Sequence, residues 1–210
     1  MLPVMHAALL ATAVVGRTAE LALLRRAVDD AAAGRGSVML VTGEPGIGKS
    51  RLLREVHAWC TGRGTATLLG RAVDTSTACP FRPLAEALLA AQRSAPLADD
   101  PDTAPFAPAL ATLVPSLAAA SPQPVSLLHV AEGFLRVARS RGRDGRGAAV
   151  LLDDLQWADA ETLAVLEYLA DNVDGEPAAH RVSEGRGQAC PAGVGADPPA
   201  GVAAQRAPGL

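Results

Sequence analysis

Apolar and polar positions along this chain fall into blocks whose period changes several times, and each block implies an element. From Arg17 onward Leu21, Leu24 and Val28 recur at spacings of three and four, with Glu20, Arg25, Asp29 and Asp30 on other faces. That period predicts an amphipathic helix, which Gly34-Arg35-Gly36 ends. Ser37 to Thr42 is a short apolar run of strand length, as expected of a strand buried on both faces. A second helix is expected over Arg51 to Cys60, with Leu52, Leu53, Val56 and Trp59 as its buried stripe. Thr65 to Val73 reads as a second strand, and Phe81 to Gln92 as a helix entered through Pro80 and Pro83.

Between 94 and 124 the chain holds seven prolines, which forbid long helices and leave a loop-rich insertion with at most short turns. A helical pattern resumes over Val125 to Ser140, with Leu128, Phe134, Leu135 and Val137 apolar. The charged turn Arg141 to Gly147 follows. Ala148 to Leu152 is another buried-strand run, and it ends in Asp153 and Asp154. Asp159 can cap the next helix, in which Leu163, Leu166 and Leu169 lie three residues apart. Two stretches stand outside the pattern. Residues 1–13 form an apolar N-terminal extension without the cationic start of a secretory leader. Between Ala178 and Gly209 there is no Leu, Ile, Met or aromatic residue, so 178–210 is expected to be a disordered tail. The expected organisation is therefore an extension (1–13), one α/β domain (14–177) and a tail (178–210).

Composition narrows the function classes. With 49% hydrophobic and only 3% aromatic residues among 210, the core must be built from Ala, Val and Leu. Nineteen basic against 22 acidic residues leave no excess to neutralise a phosphate backbone, so no direct nucleic-acid contact is expected. Cys60, Cys79 and Cys190 are far apart and form no CxxC pair, which indicates neither a disulfide framework nor a zinc ribbon. His57, His129 and His180 show no metal spacing, and Arg141, Arg143 and Arg146 read as a solvated loop. No apolar run approaches the roughly 18 residues of a membrane span, and a cytoplasmic chain is expected. Eighteen of the basic residues are Arg; the one Lys, Lys49, and the one Ile, Ile47, share a short segment.

That segment, Gly43-Glu44-Pro45-Gly46-Ile47-Gly48-Lys49-Ser50, matches G-x-x-x-x-G-K-[ST], set between a strand and a helix. Glycines let successive backbone N–H groups turn inward as an anion-binding nest, and the following helix adds its positive N-terminal end. Gly43 through Ser50, with Arg51, are the candidate phosphate-binding residues. Lys49 would reach the β- and γ-phosphates, and the Ser50 hydroxyl would take a place on Mg²⁺. At the end of the later strand Asp153 would hold the Mg²⁺, directly or through water, while Asp154 could orient or deprotonate an attacking water. Lys49 and Asp154 are thus the candidate catalytic residues. No Asn-Lys-x-Asp guanine motif occurs, so ATP is expected rather than GTP.

Together, Val15-Gly16-Arg17 before a helix, the GEPGIGKSRLL loop and LLDDLQWAD resemble the AAA-type ATPase module of STAND-class signalling proteins. Such modules head large LuxR-type transcriptional regulators in bacteria. The resemblance spans roughly Val14 to Glu176. It implies ATP as the nucleotide, with Gly16 and Arg17 near the adenine. The fold expected is a three-layer α/β P-loop NTPase, a mostly parallel sheet with helices on both faces and its ligand at the strands' carboxyl ends. The function expected is an ATP-binding, weakly hydrolysing switch module with ATP and ADP as ligands, and with self-association through that module. A small-molecule kinase-like enzyme, or a fragment with little turnover, are the alternatives. Members of the family continue with a further core strand and a helical lid, whereas here composition changes at Pro177. A frameshift or premature end in the coding sequence, leaving the domain incomplete at its C-terminus, would produce that change.

Overall fold

The computed structural model describes residues 17–74, 79–94, 96–97, 100–117, 125–173, 178–183 and 202–205. In chain order its elements are α1 (Thr18–Ala32), β1 (Ser37–Val41), α2 (Lys49–Gly62), β2 (Ala66–Arg71) and α3 (Arg82–Ser94), then α4 (Ala107–Leu110) and α5 (Leu127–Arg141). They are followed by β3 (Ala148–Asp153), α6 (Ala160–Asn172), β4 (Ala178–Ser183) and β5 (Val202–Gln205). The five strands form one sheet in the order β2-β3-β4-β1-β5. Four of them run parallel, and β5 pairs antiparallel with β1 at one edge.

Both faces of the sheet are covered, which is why its strands read as continuous apolar runs rather than alternating ones. On one face Leu24, Val28, Leu52, Leu53, Val56 and Cys60 of α1 and α2 bury Met39, Val41, Ala149 and Leu151. On the other, Leu84, Leu88, Phe134, Leu135, Val165 and Leu169 of α3, α5 and α6 bury Leu68, Val150 and Leu152. Gly70 lets α3 cross β2 closely: a Cβ there would lie 1.8 Å from the Pro83 carbonyl oxygen. Among the described residues, the Pro-rich insertion holds only α4 and two short 3-10 turns, Ala104–Phe106 and Pro115–Leu117. Asp100 and Asp102 tie it to the end of α5 through Arg143.

Three sequence expectations need correction. The buried stripe of α6 is Thr162, Val165 and Leu169, while Leu163 is exposed. Asp159 accepts a hydrogen bond from the Thr162 amide at 2.8 Å and so caps the helix, while Val165 and Leu169 form the face that packs into the core with α3 and α5. Leu128 is 57% exposed, and Trp59 is half-buried at the edge of α2, where the guanidiniums of Arg63 and Arg25 lie 4.6 and 5.6 Å from its ring centre. The third correction concerns the chain beyond Pro177. A disordered tail was expected over 178–210; of that stretch Ala178–Ser183 is a strand between β1 and β3 and Val202–Gln205 a strand outside β1, and the rest lies outside the described residues. Sheet pairing is made by main-chain groups, and the facing edges of β1 and β3 leave rows of donors and acceptors that need a partner. Absence of large apolar side chains therefore did not exclude strand pairing. Among the described residues no helix is long and apolar enough to cross a membrane.

Candidate functional site

The candidate residues gather at the carboxyl end of the sheet. Leu40 of β1 and Leu152 of β3 both pair with Val182 of β4, so these two strands end level. With one strand between them, they lie about 10 Å apart. β1 leads directly into the glycine segment, and β3 ends at Asp153.

The glycine segment is a tight loop. Gly46 and Gly48 adopt φ of 80° and 99°, a region that other residues enter only with strain. Gly48 caps α2, accepting the Leu52 amide at 3.0 Å, and the Ile47 amide donates to the Glu44 carbonyl at 3.3 Å. Lys49, the first residue of α2, is only 7% exposed. Its Nζ donates to the carbonyls of Gly43 at 2.8 Å and Glu44 at 3.1 Å, so the ammonium is folded back against its own loop. Ser50 and Arg51 are half-buried in the first turn of α2; Glu44, Pro45, Gly46 and Ile47 are exposed. Arg17, the residue before α1, donates from Nη2 to the Ile47 carbonyl at 3.1 Å. Gly16 lies outside the described residues.

Strand alternation decides where the two aspartates point. Ala149 and Leu151 face the core beneath α1 and α2, and Asp153 follows in the same phase, toward the face that carries the start of α2. Asp154 leaves the strand with a left-handed backbone, φ 56°. Its Oδ2 accepts both Nε and Nη2 of Arg71, at 2.7 and 2.6 Å, and its Oδ1 accepts Gln156 Nε2 at 3.3 Å. The hydrogen bond and the negative charge of Asp154 raise the pKa of the Arg71 guanidinium. Sequence reasoning missed Arg71. Its signal was a charged residue closing a strand, but only the parallel register, which sets Arg71 beside Asp153, reveals the contact.

Farther along the same edge Ala72, Val73, Asp74, Arg82, Trp157 and Asp159 line a pocket of about 190 Å³. Trp157 stands 51% exposed there. Asp159 serves the fold: beside its cap on α6 it accepts the Phe81 amide at 3.0 Å and the Thr162 hydroxyl at 2.7 Å. The other sequence candidates are dispersed. Cys60 is buried, Cys79 is exposed, His57 bonds Thr67 and His129 bonds Ser126. Among the described residues, no group of three or more His, Cys, Asp or Glu could hold a metal ion.

A buried ammonium at the base of a positive-φ glycine loop suits a polyanion, and the hydroxyl and carboxylate oxygens of Ser50 and Asp153 are the hard donors that Mg²⁺ prefers. A mostly parallel sheet, a glycine loop joining its strand to a helix and a carboxylate closing a strand two places away define a P-loop nucleoside triphosphatase fold. Within that class, the family model of the AAA ATPase domain matches residues 13–182, and the chain belongs to this family of nucleotide-binding domains. Comparison with curated proteins gives no match.

Proposed function

We propose that this chain is an ATP-binding switch module with slow Mg²⁺-dependent hydrolysis, belonging to a cytoplasmic signalling or transcriptional regulator of the STAND and LuxR type. The observation that carries the nucleotide reading is Lys49, buried at the foot of the Gly43–Ser50 loop, which leaves β1 at the same end of the sheet at which β3 closes in Asp153. In this reading the ammonium gives up the carbonyls of Gly43 and Glu44 and turns to the β- and γ-phosphates, while the loop amides cradle them. Ser50 and Asp153 would hold Mg²⁺, which supplies charge neutralisation at the transferring phosphoryl group. Asp154 would orient the attacking water. Its engagement by Arg71 and Gln156 supports a resting arrangement in which hydrolysis is slow.

The regulator assignment rests on the resemblance of Gly16-Arg17, the loop and the LLDDLQWAD segment to that family. Self-association through the same module belongs to this proposal. Calorimetric titration with Mg²⁺-ATP, followed by a phosphate-release assay, tests the reading. Wild-type chain is expected to bind and to release phosphate slowly. Lys49→Ala is expected to lose affinity by about tenfold or more, the worth of a charge-assisted contact to phosphate. Equal binding by the two chains would remove the phosphate-loop assignment.

A further inference from the structure

The apex of the glycine loop stands away from the body of the domain. Glu44 to Ile47 are exposed, and a Cβ at Gly46 or Gly48 would meet nothing within 4 Å. Ile47 sits between Gly46 and Gly48, both of positive φ, and glycine backbone is freer than that of other residues. Among the described residues, one side chain from outside the loop hydrogen-bonds to this apex: Arg17, through the Ile47 carbonyl at 3.1 Å.

Arg17 is itself firmly based. Its carbonyl accepts the Leu21 amide at 3.1 Å, and α1 is fixed to the sheet by Leu24, Val28 and Ala31. Its side chain is 13% exposed, and Glu20 Oε1 lies 3.7 Å from Nη1. The consequence follows from peptide geometry. The Ile47 carbonyl and the Gly48 amide belong to one planar trans unit, so their C=O and N–H point in opposite directions. Holding the carbonyl against Arg17 turns the Gly48 N–H away from Arg17.

We infer that Arg17 is a positioning residue for phosphate binding: it pins the Ile47–Gly48 peptide so that the loop amides are aimed before the anion arrives. This differs from the contact with adenine that the family resemblance implied, and it rests on reading Gly43–Ser50 as a phosphate loop. Ordering the apex beforehand reduces the entropy lost on binding. The planar guanidinium, based on α1, fixes a direction that a flexible ammonium would hold less well.

Two probes separate a loop-positioning role from a base contact: Mg²⁺-ATP, and Mg²⁺-tripolyphosphate, which has no base. Arg17→Ala is expected to weaken both by the same factor, about tenfold, the worth of one hydrogen bond from a charged donor. It is also expected to speed hydrogen exchange of the Gly46–Gly48 segment in the ligand-free chain, with Arg17→Lys recovering part of both losses. A loss confined to ATP would overturn the inference in favour of a base contact. Unchanged affinity for both probes would overturn it outright. Failure of the wild-type chain to bind either probe would overturn the phosphate-loop reading beneath it. If Arg17→Ala does not fold, Arg17→Lys carries the same comparison, with a smaller equal loss expected for the two probes.

Discussion

Asp154 and its neighbour Asp153 are adjacent in sequence and identical in chemistry, yet the fold separates their surroundings. Asp153 keeps the phase of β3, while Asp154 turns out through a left-handed backbone and meets Arg71. Asp154 is 20% accessible but its partner Arg71 is 63% accessible, so water screens the ion pair from one side and it contributes little to folding. Arg71→Ala is therefore expected to leave the melting temperature nearly unchanged. In a phosphate-release assay it should raise turnover by up to about fivefold, as the carboxylate proposed to orient water is freed from a weak partner. Unchanged or lower turnover with intact ATP affinity would remove Asp154 from the proposed chemistry. The glycine loop was legible at this scale because its spacing is a local pattern. Arg71 was not, because its partner lies 83 residues away.

Among the elements, α6 separates what a short pattern can and cannot convey. The cap at Asp159 was readable from residue type and position, and the Thr162 amide confirms it. The inward face was not readable, because Leu163, Leu166 and Leu169 offered a plausible stripe while the packed one begins at Thr162. Asp159 also receives the amide of Phe81, whose φ of 59° makes that contact part of the entry to α3. Asp159→Ala removes the cap and leaves the Phe81 amide without this partner, a loss of about 1–3 kcal/mol. A denaturant titration should show a lower midpoint with an unchanged slope. Asp159→Asn keeps an acceptor oxygen and should recover a good part of the loss.

At the scale of the molecule, α5 and α6 are joined by a network that titrates. Tyr168 donates to Glu132 Oε2 at 2.7 Å, and Arg136 donates to Glu132 Oε1 at 2.6 Å. Burial works to raise the Glu132 pKa, but the bonds from Tyr168 and Arg136 outweigh it and hold the carboxyl below its ordinary value of 4.5. Burial, then the bond to Glu132, pushes Tyr168 above its ordinary value of 10.0. The signs give two edges. The carboxylate's contribution is present above the unfolded value and lost as pH falls through the depressed folded one. The phenol's contribution is present below its unfolded value and lost as pH rises through the raised one. Glu132→Gln should therefore flatten the fall of stability both in the acid range below about pH 4.5 and in the alkaline range above about pH 10, measured by thermal melts across pH. A mutant whose melts parallel the wild type at both ends would show that this network does not govern either limit.

The sequence by itself determined the long helices and the strands of residues 17–173, the glycine loop and the carboxylate that closes β3, because each is written in local periodicity or in fixed spacing. Only the tertiary structure decided that β4 lies between β1 and β3, that Asp154 faces Arg71 and that Arg17 reaches Ile47. Each of these depends on register or on contacts between residues distant in sequence. Strand pairing is made by backbone groups that every residue carries, so composition leaves no mark of it, and charged side chains find their partners only once the strands have been set side by side.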